Sequence, residues 1–260
     1  FVVGEQYDPS CWESLLDGAD CVVHASFDWS PLRGGVDVQT HYESNLLGSI
    51  RLLDASAPRQ FIYLSTVAGH HQMHPREHTP DGLGIIDAFQ VTRPATLYGA
   101  CKAAVENHLW SAHFGSGRNM SIIRPCAVYG IDPKLTRSIG HPIIEQIRDR
   151  EPYNRSGGGK FVHVDDVARL IANIVGHPET SGRVFDMADS YARWSDWAQM
   201  TAELLGVEAQ IEVNSPPLPV NMFDKRAAES VGVVLERGHE GIRRHLAELA
   251  RVMEGAGTSG

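Results

Sequence analysis

The 260 residues carry a formal charge of −9 at pH 7, with 42% apolar and 21% charged side chains, the make-up of a globular protein able to bury a sizeable core. That acidic balance argues against a nucleic-acid footprint, which is ordinarily basic. No apolar run approaches the roughly 20 residues needed to cross a bilayer, and no signal-peptide pattern opens the chain, so neither nucleic acid nor membrane is an expected partner.

In chain order, Asp20 to Ala25 predicts a buried strand and Asn45 to Ala57 a helix with apolar residues at helical spacing. Arg59 to Ser65 predicts a second strand, Tyr98 to Phe114 a long helix, and Met120 to Pro125 a third strand closed by its proline. Continuously apolar strands alternating with helices specify a parallel sheet covered on both faces. Beyond Gly130 the alternation loosens. Ser156 to Gly159 reads as a loop, Phe161 to Val164 as a short strand feeding a helix from about Asp165 to Val175, and Gly182 to Met187 as another strand. Ser195 to Leu205 predicts a helix with Ser195 as its N-cap, and the prolines of 214–219 make a stiff linker. A last amphipathic helix spans roughly Glu240 to Met253, followed by a Gly/Ser tail expected to be disordered. Cys11, Cys21, Cys101 and Cys126 show no C-x-x-C spacing. Disulfides and zinc are therefore not expected, and a reducing, cytoplasmic setting is.

Tyr98 and Lys102 stand four apart in the second helix, so their side chains lie on one face, one turn apart. A free phenol titrates at about 10 and is a poor base at neutral pH. A neighbouring ammonium favours the phenolate, each unit of displacement being worth about 1.4 kcal/mol. A desolvated lysine together with a cofactor charge would bring the phenol within range of proton exchange with a substrate hydroxyl or carbonyl. Alone, the same spacing also describes an exposed helix surface; its surroundings decide.

Those surroundings are ordered. Val22 to Ala25 ends a strand, Asn45 opens the run to Leu53, and Phe61 to Thr66 is a strand ending in Ser-Thr. Ile123 to Gly130 contains R-P-x-x-V-Y-G, and Phe161 to Val167 reads F-V-H-V-D-D-V. With Y-x-x-x-K, these motifs closely resemble the extended short-chain dehydrogenase/reductases, the NAD-dependent epimerase/dehydratase family, over nearly the whole chain. The resemblance implies an α/β fold, a doubly wound parallel sheet (Rossmann-like) with a smaller C-terminal substrate lobe. The dinucleotide-binding core would take 1–130 and be rejoined by 161–190, the lobe 131–160 and 191–253, and the tail 254–260. It implies NAD or NADP as cofactor, Tyr98 as general acid/base, and Lys102 as the group that lowers its pKa and holds the nicotinamide ribose. Thr66 would hydrogen-bond the reacting substrate oxygen, with Ser65 as its neighbouring alternative. Glu5 and Gln6 would meet the adenine, Glu5 standing where the family usually has Asp, and Ala25 and Pro125 would line the cofactor groove. Asn45 matches the family's asparagine at that helix, and a helix cap or buried polar anchor describes it as well as a catalytic part does. A homodimer through the two long helices is the family habit.

The chain departs from that pattern in three places. No G-x-x-G-x-x-G turn is present, and Phe1 to Asp8 resembles the family's third strand. On the order of 50 residues, a βαβ unit and a helix, are therefore expected upstream, so that the first strands and the glycine turn are missing, along with the strand that separates NAD from NADP. The isolated chain is accordingly expected to bind dinucleotide weakly or not at all and to be inactive, which full-affinity binding in a calorimetric titration would overturn. Second, Val67 and Ala68 follow Thr66 where sugar dehydratases of the family carry Asp-Glu. This argues against elimination and decarboxylation and leaves epimerisation or alcohol/ketone redox. Third, His70 to His78 holds four histidines in no common zinc spacing, and reads as a substrate-facing or surface loop without metal.

The leading expectation is an NAD(P)-dependent oxidoreductase or epimerase acting on a small hydroxyl- or carbonyl-bearing substrate, a nucleotide sugar by analogy, with Arg148, Arg155 and Arg226 available to a diphosphate. Fold analogy is a weak warrant for substrate. The alternatives are a ketone or aldehyde reductase with an apolar pocket, and a non-catalytic cofactor-sensing regulator on the same fold. The intact Thr66, Tyr98 and Lys102 set argues against the regulator.

Overall fold

The computed structural model describes residues 2–70, 77–80 and 82–257. Its strands are β1 Cys21–His24, β2 Gln60–Leu64, β3 Glu77–His78, β4 Gly84–Ile86, β5 Met120–Pro125, β6 Ala127–Tyr129, β7 Gly158–His163, β8 Arg183–Met187, β9 Ser190–Arg193 and β10 Asn221–Phe223. The helices are α1 Trp12–Leu16, α2 Val38–His41, α3 Gly48–Ala55, α4 Leu97–Ser116, α5 His141–Arg148, α6 Val164–Ile174, α7 Trp194–Leu205, α8 Arg226–Glu229 and α9 Gly238–Gly257.

A wholly parallel sheet runs in the order β1-β2-β5-β8. Its strands are apolar on both faces because both are covered. On one side Leu53 of α3 and Leu109 of α4 pack against Phe61, Tyr63 and Ile122. On the other, Leu170 and Ile174 of α6 meet Ile62, Ile123 and Phe185. Ala228, Val233 and Leu235, expected in the lobe, lie in this second layer against the core sheet. A separate core forms where Trp197 of α7 packs with Ile144 of α5, Ile242 and Leu246 of α9, Tyr129 and Phe161. The small sheets β6-β7-β9 and β10-β4-β3 flank the main one.

Several boundaries differ from expectation for identifiable reasons. Asn45 does not open a helix. Helical structure begins at Val38, where Asp37 accepts from the Thr40 N–H at 3.0 Å, and Asn45 falls in a π-turn over Tyr42–Leu47 between α2 and α3. Ser195 is not an N-cap: Arg193 takes that place because the Asp196 carboxylate accepts both its backbone N–H (2.7 Å) and its guanidinium. Residues 2–8 form no strand; β1 is an edge of its sheet, and without an adjacent ladder that segment is left as a turn whose Asp8 accepts from the Ser10 N–H. The last helix continues to Gly257, so the expected loss of order from 254 is not seen through 257, and 258–260 lie outside the described residues.

Candidate active site

The C-terminal ends of β1, β2 and β5 and the first turn of α4 meet at one edge of the sheet, where open α/β sheets hold ligands. Thr96 caps α4 by accepting from the Gly99 N–H at 3.1 Å. A Cβ on Gly99 would lie 2.6 Å from the Ala68 carbonyl oxygen. Glycine therefore lets this turn press against Val67–Gly69 and sets Tyr98 beside Thr66. The Thr66 hydroxyl accepts from the Ala68 N–H at 3.1 Å and lies close enough to the Tyr98 phenol to pull its pKa down.

Lys102, one turn further on, is buried. Its Nζ donates to the Leu64 carbonyl at 2.6 Å and stands 4.6 Å from the Tyr63 ring centre and 5.3 Å from that of Phe27. Burial pulls its pKa down to about 8. Burial likewise pushes the Tyr98 phenol up, while the Thr66 hydrogen bond pulls it down. The ammonium is engaged by the Leu64 carbonyl and two ring faces, and desolvation of the phenol outweighs the hydrogen bond.

Sequence reasoning missed two aromatic neighbours. Phe27 meets Tyr98 edge-on at 4.8 Å and 85°, and Trp29 stacks on it at 4.8 Å and 29°. Their loop has no periodicity by which to find it. Asn45 holds it: its Oδ1 accepts the Asp28 N–H at 2.7 Å and its Nδ2 donates to the Asp28 carbonyl at 2.9 Å. The buried-anchor reading of Asn45 describes this geometry, and π-turns recur at functional sites.

The expected cofactor residues fall into two groups. Glu5, Gln6 and Ala25, with His24, line a groove of about 490 Å³ along the free edge of β1. Gln6 Oε1 accepts from the Ser26 hydroxyl at 2.6 Å and its Nε2 donates to the Ser44 carbonyl at 2.7 Å, which ties the groove to the Asn45 turn. Ser65 and Pro125 stand instead with Tyr98, Lys102 and Thr66, at the ends of β2 and β5. Burial and the Lys102 charge hold His24 at about 4. Among the described residues neither of its ring nitrogens has a partner, nor has the buried Ser65 Oγ. In the histidine-rich loop, His70 is buried with Nε2 3.2 Å from the Gln90 carbonyl oxygen; His71 and His74 lie outside the described residues.

A buried ion network fixes α4 to the sheet. Arg124 of β5 donates to both Glu106 oxygens, from Nε at 2.9 Å and Nη2 at 2.6 Å, and from Nη1 to the Ala88 carbonyl at 3.0 Å. Asp186 of β8, 1% exposed, lies 3.7 Å from the same guanidinium, and among the described residues both its oxygens lack a hydrogen-bond donor. Burial raises its pKa from 3.8 to about 7, Arg124 opposing. The sign follows from proton binding: between these two values the folded state keeps a proton that the unfolded chain has released, so stability falls as pH rises through that window. Relative to the wild type, Asp186→Asn should therefore gain about 2 kcal/mol between pH 5 and pH 8 in denaturant unfolding. Parallel curves would show that Asp186 is ionised throughout.

The sequence model of the NAD dependent epimerase/dehydratase family matches residues 1–188, while no curated protein matches the chain. Among solved structures, a short-chain dehydrogenase/reductase superfamily protein from Agrobacterium tumefaciens with bound NAD is 18% identical, with a TM-score of 0.76 over 100% of this chain and 88% of that one. The UDP-glucuronic acid 4-epimerase of Bacillus cereus, complexed with UDP-glucuronic acid and NAD, is 19% identical, with a TM-score of 0.74 over 93% and 78%. The UDP-glucose 4-epimerase of Thermotoga maritima, with UDP-glucose, is 18% identical, with a TM-score of 0.77 over 96% and 84%. At such identities the likeness is one of fold.

Proposed function

The chain belongs to the NAD dependent epimerase/dehydratase family, as an NAD(P)-dependent enzyme of the extended short-chain dehydrogenase/reductase type, and from that premise we propose that Tyr98 is its proton carrier, acting with Thr66 and Lys102 on a nucleotide sugar. The observation that supports this reading is that one ring, Phe27, meets both the Tyr98 ring at 4.8 Å and the buried Lys102 ammonium at 5.3 Å, while that ammonium donates to the carbonyl of Leu64, two residues before Thr66. The cleft suits a nicotinamide cofactor: buried polar atoms on Ser65 and His24 lack partners, and an elongated groove leads along β1. When bound, that cofactor supplies the hydride acceptor and donor.

The chain's own residues then have separate tasks. The Thr66 hydroxyl holds the substrate oxygen beside the phenol, and Tyr98 gives or takes the proton on that oxygen as its C–H bond forms or breaks. Lys102 keeps ammonium protons beyond the one given to Leu64, and these hold ribose hydroxyls. The aromatic walls of Phe27, Trp29 and Tyr63 exclude water from the phenol and ammonium. Of the three arginines considered for a diphosphate, Arg148 pairs with Glu254 and Arg226 with Asp224, whereas Arg155 stacks over Trp194 at 3.7 Å. Arg155 is the one that fits the part.

One observation favours the ketone or aldehyde reductase as a second reading. A cavity of about 590 Å³ at the lobe carries Leu83, Leu218, Val220, Met222 and two prolines among its lining residues, a surface suited to an apolar substrate. A substrate panel separates the two. With NAD and NADP supplied to the full-length protein, turnover of UDP-glucose or UDP-glucuronic acid is expected. Reaction confined to small apolar ketones or aldehydes would reject the nucleotide sugar in favour of the second reading.

A further inference from the structure

Tyr98 sits in the first turn of α4 and is half-buried, so its ring is free to swing toward water unless its neighbours stop it. Two rings do so. Trp29 lies stacked on it at 4.8 Å and 29°, and Phe27 meets it at 4.8 Å and 85°. Phe27 also meets His41 and the Lys102 ammonium, whereas the aromatic contacts of Trp29 among the described residues are Phe27 and Tyr98. The backbone on either side of Trp29 is fixed. Asn45 grips both peptide groups of Asp28, and the Asp28 carboxylate accepts the Ser30 N–H at 2.8 Å ahead of the buried Pro31. The Asn45 amide is taken up on its remaining sides by His41 Nδ1 at 3.1 Å and Gln6 Nε2 at 3.4 Å. Asn45 itself is 1% exposed, while 43% of Trp29 is open to solvent. The indole therefore stands, rigidly, between the Tyr98 ring and water.

We propose that Trp29 is a positioning residue for the proton carrier: clamped through Asn45, its indole holds the Tyr98 ring beside Thr66 and shields it from water. The inference rests on the reading of Tyr98 as that carrier and assigns its placement to a residue that acts only through it. Two consequences follow from the geometry. A phenol released from the stack loses its set distance to the substrate oxygen, and a misplacement of about 1 Å costs on the order of a hundredfold in rate. Water admitted to the ring also relieves the burial that raises the Tyr98 phenol.

The test uses the full-length protein as wild type, Trp29→Phe, Trp29→Leu, Asn45→Ala and the Trp29→Leu/Asn45→Ala double variant. It reads the pH titration of labelled Tyr98 and steady-state kinetics with UDP-glucuronic acid. Trp29→Leu should bring the Tyr98 midpoint down toward the ordinary 10 and lower kcat about ten- to a hundredfold, with KM within about threefold. Trp29→Phe, which keeps a ring, should recover most of both. Asn45→Ala should move both readings the same way, and the double variant should be little worse than the worse single one, because the two residues act in one chain. Trp29→Leu leaves the Asn45 clamp intact, so it reports even where Asn45→Ala fails to fold. A Tyr98 midpoint unmoved in Trp29→Leu, or a lower Tm with midpoint and kcat unchanged, overturns the proposal and leaves Trp29 a structural residue. Wild-type turnover retained by Tyr98→Phe would overturn the carrier reading and this inference with it. Turnover lost in Tyr98→Phe, with a Tyr98 titration indifferent to Trp29, overturns the inference alone.

Discussion

In the full-length protein Tyr98→Phe is expected to lower turnover by about a hundred- to ten-thousand-fold, the range over which a positioned acid/base acts, while substrate and cofactor still bind. The reasoning is local. The substitution removes one oxygen from a ring whose packing against Phe27 and Trp29 a phenylalanine reproduces, so the fold and the cleft should survive. What goes is the phenol oxygen, and the nearby Ser65 hydroxyl, whose Oγ meets no partner among the described residues, stands on the turn after β2 and not on α4. A loss in kcat at near-constant KM is the signature of a group needed only as charge develops. Unchanged turnover would return the regulator, or another proton carrier, to first place.

Arg124→Leu is expected to destabilise the protein by about 3–5 kcal/mol, the penalty for leaving a buried charge without its partner. Here the Glu106 carboxylate would be stranded, because Arg124 holds it with a two-pronged contact, whereas Asp186, whose pKa Arg124 pulls down, would hold its proton more tightly. Arg124→Lys should recover only part, since an ammonium cannot span both Glu106 oxygens and also reach the Ala88 carbonyl. Removing the ion pair whole, as Arg124→Leu with Glu106→Leu, and Asp186 with it as Asp186→Asn, should recover more than Arg124→Lys, because apolar groups of similar volume often replace buried ion networks without loss. Denaturant midpoints measure each case; a loss below about 1 kcal/mol for Arg124→Leu would mean the network is wetter than its burial implies.

Much of this architecture was legible in the residues. Met120–Pro125 was readable end to end because an apolar run meets a proline that stops it, and α4 because its apolar spacing persists around the Tyr-x-x-x-Lys pair. What escaped was long-range. Residues 38–44 are largely polar, so the helix seemed to begin at Asn45, and a π-turn has no periodic signature. Arg193 displaced Ser195 as a cap because its guanidinium and backbone reach one carboxylate, a contact that spacing alone does not reveal. The Arg124–Glu106 pair joins a strand to a helix 18 residues apart in the chain, with only the position of Glu106 one turn beyond Lys102 as a hint. Spacing put Lys102 near Tyr98 but left open where its amine points, and the Leu64 carbonyl decides that. Phe27 and Trp29 lie in an aperiodic loop, visible only once Asn45 is seen to hold it.

The claim on which the mechanism stands is that Tyr98 and Thr66 form one proton-handling unit whose setting controls the phenol. It is tested most directly by following the Cζ carbon shift of isotopically labelled Tyr98 against pH in the wild type and in Thr66→Val. The account predicts a wild-type midpoint above the ordinary 10 of a tyrosine and a higher one still when the Thr66 hydroxyl is removed. A Tyr98 that titrates like a free phenol, or is indifferent to Thr66, would contradict it.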